Sequence, residues 1–176
     1  MNNFYNSYFK VDTEKVVQNF YKVKEYIGPD TEIIPVIKGN CYGYGLVPMA
    51  KLFEERCHVS LIANAAMYEA VQLRQGGVKC DILIIGGIPQ HLLHGAIEYD
   101  LQVPLFEAET AKRLNSLSAS AGKKTKVHIK LETGMNRLGV RPGEDLSRLL
   151  KLVKSLENLE VVGAYTHFAT STADYN

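Results

Sequence analysis

Apolar residues along this chain are concentrated in six short runs that are separated by longer amphipathic segments. Most of these runs are continuous rather than alternating, which is typical of strands buried on both faces of a sheet. The predicted strands span residues 33–38, 59–64, 81–87, 101–106, 126–132 and 161–168. The segments between them repeat apolar residues every three or four positions, which predicts helices. The chain therefore alternates predicted strands and helices along its length.

This alternation predicts parallel strands joined by crossover helices, and two architectures satisfy it. One is an open, doubly wound sheet, and the other is a (β/α)8 TIM barrel. A dinucleotide-binding sheet would place a GxGxxG motif after its first strand, whereas here that strand ends at Lys38. We therefore predict an α/β fold of the (β/α)8 TIM-barrel type. A complete barrel needs eight βα units and about six are present, so we expect residues 1–176 to be the N-terminal portion of a larger barrel.

Composition narrows the classes of function. The 176 residues carry a formal net charge of +1 with no basic cluster, which argues against nucleic acid or a polybasic membrane contact as the main partner. The cysteines Cys41, Cys57 and Cys80 are odd in number and form no CxxC pair, which argues against a disulfide framework or a zinc ribbon. No signal peptide and no apolar run of membrane length is recognisable. The expectation is a cytoplasmic protein with neither a membrane nor a nucleic-acid partner.

Polar side chains end several of the predicted strands, at the side of a parallel α/β fold where binding sites form. Lys38 ends the first strand, His167 ends the sixth, and Arg137 lies in the loop after the fifth. A lysine that is partly withdrawn from water near other cations has a lowered pKa and becomes a nucleophile for carbonyl groups. The glycines that follow Lys38 allow the backbone to approach a ligand or to turn tightly. For each residue alone, a solvated or structural role remains the alternative.

The fifth predicted strand carries an unusual row of polar residues. His128, Lys130 and Glu132 alternate strictly, so their side chains share one face. If that face points into the barrel, Lys130 must be neutralised, paired or chemically modified. The alternative is a half-exposed strand with a solvated face. His91 and His94 have i, i+3 spacing but no third ligand, so no metal site is predicted.

Four segments form an ordered set of motifs: PVIKGNCYGYG (35–45), DILIIGGIP (81–89), HIKLETGMNRLGV (128–140) and YTHFATSTAD (165–174). Together they resemble the alanine racemase family. The resemblance implies a fold-type III enzyme with the cofactor pyridoxal 5'-phosphate, in which an N-terminal (β/α)8 barrel joins a C-terminal β domain and two subunits form a homodimer. It further implies racemisation of an amino acid, with L- and D-alanine as the first candidates, for the supply of cell-wall precursors.

The resemblance also implies roles for particular residues. Lys38 would carry the cofactor through a Schiff base and serve as the base for the α-proton on the D-amino-acid side. Tyr42 would contact the cofactor phosphate, and Arg137 would lie near the phenolic oxygen and the substrate carboxylate. Lys130 matches a lysine that is often carbamylated, which would let it pair with Arg137 as an anion. His167 would support the cofactor ring through a downstream arginine.

Some positions depart from the family pattern, and they bear on substrate preference more than on the cofactor. These positions are Gly39, Cys41, Tyr44 and Glu132. The base for the opposite face, the arginine near the pyridine nitrogen and most phosphate-binding groups would lie beyond Asn176. We therefore expect little racemisation by these residues alone.

Other functions remain open from the sequence. A non-catalytic barrel protein could hold the same cofactor without a second base, and a Schiff-base aldolase could use Lys38 on its substrate directly. Racemases of serine, ornithine or lysine are close relatives of the alanine enzymes. The chain could also be inert by itself and serve only in assembly, with an exposed strand edge that favours aggregation.

Overall fold

Helices and strands alternate through the computed structural model, which describes residues 8–171. The strands are β1 (Leu61–Asn64), β2 (Asp81–Ile84), β3 (Val103–Leu105), β4 (Thr125–Leu131) and β5 (Leu159–Thr166). The helices are α1 (Thr13–Ile27), α2 (Gly39–Tyr42), α3 (Leu46–Cys57), α4 (Met67–Gln75), α5 (Leu93–Glu98), α6 (Ala108–Ser120) and α7 (Glu144–Lys154). None of these helices is both long enough and apolar enough to cross a bilayer.

The strands pair in parallel in the order in which they occur along the chain. β1 pairs with β2, and β3, β4 and β5 follow one another in a second sheet. A parallel bridge between Leu83 and Gln102 joins the two sheets, and the Ile84 N–H donates to Gln102 O at 3.0 Å. Because this order never reverses, the strands form part of a barrel wall rather than a doubly wound sheet. The prediction of an incomplete (β/α)8 barrel is confirmed.

The predicted first strand, residues 33–38, is shorter in the structure than the sequence indicates. Only Val36 forms a bridge, to Ala63 of β1, and the Ile37 N–H donates to Ala63 O at 2.7 Å. Pro35 has no N–H to donate, and within residues 8–171 no strand pairs with the other edge of this segment. The segment is therefore extended but hydrogen-bonded along one side.

The segment between the third and fourth predicted strands, for which the sequence predicts a helix, is divided into two parts. Gln90–Leu92 form a 3-10 turn, and α5 accounts for the second part. At the junction, Leu92 has φ −100° and ψ −5°, which lies outside the geometry of a continuous α-helix. The apolar pattern of this segment therefore predicts burial correctly but not an unbroken helix.

The core lies between the strands and the helices that cover them. It contains the largest fully buried apolar side chains, which are Ile37, Ile62, Leu73, Ile82, Ile84, Leu93, Leu105, Leu114 and Ile129. Helix α7 shows the pattern, since Leu149 and Val153 are buried while Lys151 is exposed. Burying one such aliphatic side chain is worth about 1.5–3 kcal/mol. Because strand residues alternate in direction, the face opposite this core is free to carry polar side chains.

Candidate active site

A cavity of about 440 Å³ opens at the carboxyl ends of the strands, on the inner face of the barrel wall. Lys38, Lys130, Arg137 and His167 all line it. The rest of its lining is mostly apolar and consists of Ile34, Val36, Ala63, Ala65, Leu83, Ile85, Gly86, Leu138, Tyr165 and Thr166. The structure therefore brings four residues that the sequence singled out to a single cavity.

Lys38 is half-buried and stands where the extended segment beside β1 meets α2. Its own backbone is extended (φ −140°, ψ 160°), but the next four residues, Gly39 to Tyr42, have φ between 51° and 58°. α2 is thus a single left-handed turn, a conformation that costs roughly 1–2 kcal/mol at each residue other than glycine. The backbone enters the left-handed region immediately after the lysine, and glycine is the residue that adopts this conformation at the lowest cost.

Two buried polar residues contact the backbone on either side of Lys38, and sequence reasoning missed the role of both. Glu69 on α4 is only 3% exposed, and its Oε1 accepts the Asn40 N–H at 2.8 Å. Asn64, at the end of β1, donates from Nδ2 to the Ile37 carbonyl oxygen and, at 3.3 Å, to Glu69 Oε2. The signal that could have found Glu69 is a carboxylate on the otherwise apolar, buried face of α4.

Lys130 lies on the inner face of β4 and is only 4% exposed, so of the two alternatives for its strand the buried one is correct. Its Nζ donates to Ile85 O at 3.2 Å and lies 5.1 Å from the centre of the Tyr165 ring. Burial lowers the pKa of Lys130, the nearby charge of Arg137 lowers this pKa further, and Glu132 opposes both effects. This amine therefore releases its proton more readily than an exposed lysine.

A chain of polar side chains lies beneath Lys130 on the same inner face. His128 Nε2 lies 2.6 Å from Gln102 Oε1, and Gln102 Nε2 donates to Asp81 Oδ2 at 2.8 Å. Lys126 donates to the same carboxylate oxygen at 3.0 Å. Burial lowers the pKa of His128, which favours its neutral form. Because Gln102 Nε2 donates to Asp81, the Gln102 side-chain oxygen faces His128. That oxygen can only accept a hydrogen bond, so the proton of neutral His128 resides on Nε2.

The loop that carries Arg137 is folded around the carboxylate of Glu132. Glu132 Oε1 accepts the Gly134 N–H at 2.6 Å, and Oε2 accepts the Arg137 N–H at 3.1 Å. Hydrogen bonds from backbone N–H groups, that of Asn136 foremost, hold the pKa of Glu132 below its usual range. A Cβ at Gly139 would lie 2.6 Å from Glu132 N, so a glycine is needed where the loop returns along β4.

Tyr42 is not among the described residues that line the Lys38 cavity. Tyr42 is 75% exposed and borders a separate apolar groove of about 460 Å³ between α1, α3 and the segment around Val36. Arg137 and His167 are exposed at the mouth of the Lys38 cavity, whereas Lys130 lies at depth. The structure thus places one predicted residue beside the cavity rather than in it.

The fold and the cavity together define a partial (β/α)8 barrel that presents basic side chains, one of them a half-buried lysine, at the carboxyl ends of its strands. Residues 11–176 match the family profile described as alanine racemase, N-terminal domain. The chain therefore belongs to the alanine racemase family.

Individual relatives agree with this assignment. Alanine racemase of Desulforamulus reducens is 35% identical over 162 residues, which are 92% of this chain and 44% of that protein. The structure of alanine racemase from Bacillus anthracis with bound L-Ala-P aligns with a TM-score of 0.83 at 34% identity, over 93% of this chain and 43% of that one. Histidine racemase from Leuconostoc mesenteroides aligns with a TM-score of 0.82 at 29% identity, over 90% of this chain and 42% of that one. The chain thus spans less than half the length of these relatives.

Proposed function

We propose that this chain is the N-terminal barrel portion of a pyridoxal 5'-phosphate-dependent amino-acid racemase that interconverts L- and D-alanine. The observation that supports it most directly is the single cavity lined by Lys38, Lys130, Arg137 and His167 in a chain of this family. In this proposal the rest of the barrel and a C-terminal β domain lie outside residues 1–176, and the whole enzyme is a homodimer.

The cavity suits an anionic aldehyde of the size of pyridoxal 5'-phosphate. Its volume of about 440 Å³ falls within the range of small-molecule sites. Lys38 offers the amine that an aldehyde needs, other basic side chains offer donors, and no carboxylate is among the described residues that line the cavity. This donor set matches the negative charge of a phosphorylated, phenolic ligand. When bound, the cofactor supplies an electron sink that makes the α-proton of an amino acid acidic.

Each site residue has one task in this proposal. Lys38 holds the cofactor covalently and moves the α-proton at Nζ on the D-amino-acid side. The Arg137 guanidinium donates to the substrate carboxylate through its planar fork. Tyr42 is assigned to the cofactor phosphate, and His167 to the support of the cofactor ring, by their positions in the family motifs. The base for the opposite face lies outside this chain, so these 176 residues alone should racemise poorly.

Lys130 is proposed as a site of carbamylation. Its lowered pKa raises the fraction of neutral amine, whose lone pair attacks the carbon of CO2. A C–N bond forms and one proton leaves, which gives a carbamate anion. The positive charge that opposes Arg137 is thereby replaced by a negative charge that attracts it. Such a change would satisfy the requirement that a buried lysine be neutralised or paired.

Location and substrate range follow as parts of the same proposal. Cys41, Cys57 and Cys80 are all free thiols, which suits a reducing cytoplasm. D-alanine made there would serve the synthesis of cell-wall precursors. A second candidate is a racemase of a basic amino acid, which the likeness to the histidine racemase of Leuconostoc mesenteroides favours.

Reaction of the 176-residue chain with pyridoxal 5'-phosphate tests the proposal. We expect a visible absorbance band, and borohydride reduction should attach the cofactor to Lys38, as peptide mass spectrometry would detect. Lys38→Ala should lose both signals, whereas Lys151→Ala, which changes an exposed lysine on α7, should keep them. A band that survives in Lys38→Ala, or a wild-type chain that takes up no cofactor, would contradict the proposal.

A further inference from the structure

Asn64 and Glu69, which we call the clamp, are buried behind the turn that follows Lys38. Asn64 is fully buried, and Glu69 is nearly so. Neither is among the described residues that line the Lys38 cavity: Asn64 is the last residue of β1, and Glu69 lies on the buried face of α4. Any influence of the clamp on Lys38 must therefore act through the backbone.

The hydrogen bonds of the clamp bracket Lys38. Asn64 Nδ2 donates to the carbonyl oxygen of Ile37, the residue before the lysine. Glu69 Oε1 accepts the N–H of Asn40, two residues after the lysine, at 2.8 Å. Asn64 Nδ2 also donates to Glu69 Oε2 at 3.3 Å, so the two contacts form one network. The backbone of Lys38 is thus tied on both sides to one buried amide–carboxylate pair.

The turn needs support because its backbone is strained. Asn40, Cys41 and Tyr42 have φ values of 51°, 52° and 53°, each of which costs roughly 1–2 kcal/mol for a residue with a side chain. A buried carboxylate is itself unfavourable unless hydrogen bonds satisfy it. The two oxygens of Glu69 accept hydrogen bonds from Asn40 and Asn64. The turn therefore supplies a hydrogen-bond donor that the buried carboxylate needs, and the carboxylate in return holds the turn in its strained conformation.

We propose that Asn64 and Glu69 are positioning residues that hold the left-handed turn and thereby aim Lys38 Nζ into the cavity. The inference rests on the proposed function, in which Lys38 is the amine that holds the cofactor. Loss of the clamp lets the turn relax toward ordinary backbone geometry and displaces the lysine. A displacement of about 1 Å at a reacting group can slow a reaction about a hundredfold.

The rate at which borohydride fixes pyridoxal 5'-phosphate to Lys38, followed by peptide mass spectrometry, tests the clamp. Glu69→Leu removes the acceptor and should slow modification of Lys38 about tenfold or more. Glu69→Gln keeps an acceptor oxygen and should stay within about threefold of the wild-type rate. The exposed Lys151 in the same digest reports intrinsic amine reactivity and should not change.

Glu54→Leu is the matched control. Glu54 accepts the N–H of Lys79, 25 residues away, at 2.8 Å, so it holds a different loop by the same kind of bond. This variant should leave the modification rate of Lys38 unchanged even where it lowers the free energy of unfolding. If Glu69 had only a structural role, Glu69→Leu would slow the modification of Lys38 no more than Glu54→Leu does when the two variants have equal free energies of unfolding.

Hydrogen exchange at the Asn40 amide provides a second measurement, and it needs only the wild-type chain. If the clamp holds, the Asn40 amide hydrogen should exchange slowly, although Asn40 lies on the surface. This measurement tests the clamp even if Glu69→Leu does not fold. Exchange at the rate of an open loop, or modification of Lys38 at the wild-type rate in Glu69→Leu, would overturn the clamp alone. A wild-type chain that forms no adduct at Lys38 would instead overturn the proposed function.

Discussion

Lys38 and Arg137 line the same cavity, and a glutamate holds the backbone beside each of them, but over different distances in the chain. Glu132 accepts N–H groups from residues two and five positions ahead, within its own loop. Glu69 accepts the N–H of Asn40, which is 29 residues away on another element. The carboxylate that holds the Arg137 loop therefore comes from the loop itself. The Lys38 turn has local bonds of its own, such as the Gly43 N–H to Asn40 O at 3.1 Å, but its carboxylate is supplied by the docking of α4. We infer that disturbed packing displaces Lys38 before it displaces Arg137.

Replacing one glycine by alanine in each segment should lower the free energy of unfolding by unequal amounts. A Cβ at Gly139 (φ 134°) would lie 2.6 Å from Glu132 N, so Gly139→Ala should lower the free energy of unfolding by about 3 kcal/mol. A Cβ at Gly43 (φ 97°) would meet nothing within 4 Å, so Gly43→Ala should cost only backbone strain, about 1–2 kcal/mol. Urea unfolding followed by circular dichroism measures both, and equal losses would contradict this difference.

The Arg137 loop should also be sensitive to acid. Backbone hydrogen bonds, with Asn136 first, hold the pKa of Glu132 below its ordinary value of 4.5. The unfolded chain therefore takes up this proton at a higher pH than the folded chain. The stabilisation from Glu132 is complete above pH 4.5 and is lost as the pH falls through the folded pKa.

The comparison of wild type with Glu132→Gln isolates this effect. The difference in their free energy of unfolding should stay constant above pH 4.5 and shrink as the pH falls below it, since the wild type loses the charge that the variant never carries. Urea titrations at several pH values measure it. A difference that stays constant below pH 4.5 as well would show that the charge of Glu132 does not hold the loop.

The smallest effect is expected at Cys41, within the Lys38 turn. Burial raises the pKa of this thiol, and the negative charge of Glu69 raises the pKa further. Glu69→Gln should therefore lower the pKa of Cys41 and roughly double its alkylation rate near neutral pH. Burial also raises the pKa of Cys57, but Glu69 does not act on it, so Cys57 is the internal control. Iodoacetamide labelling should show a change at Cys41 alone, and equal changes at both thiols would indicate general loosening.

Much of the architecture could be predicted because it depends on local pattern. The runs that became β1 to β5 lie within three residues of their predicted bounds, since continuous apolar segments bounded by turns have few other structures open to them. The segment at 33–38 is the exception, because its pairing with β1 is limited to a single bridge, from Val36 to Ala63. The same pattern could not reveal that the residues from Gly39 to Tyr42 form a left-handed turn, since only one of those four is a glycine.

The sequence by itself determined that Lys38, Arg137 and His167 share one rim, because parallel strands all end at the same side of a sheet. It also determined that His128 and Lys130 share a face, because strand residues alternate. Only the tertiary structure decided that this face points inward, that Tyr42 lies beside the cavity, and that Glu69 braces the turn after Lys38. These features depend on contacts between residues far apart in the chain, and a local pattern of polar and apolar positions does not specify which distant segments meet.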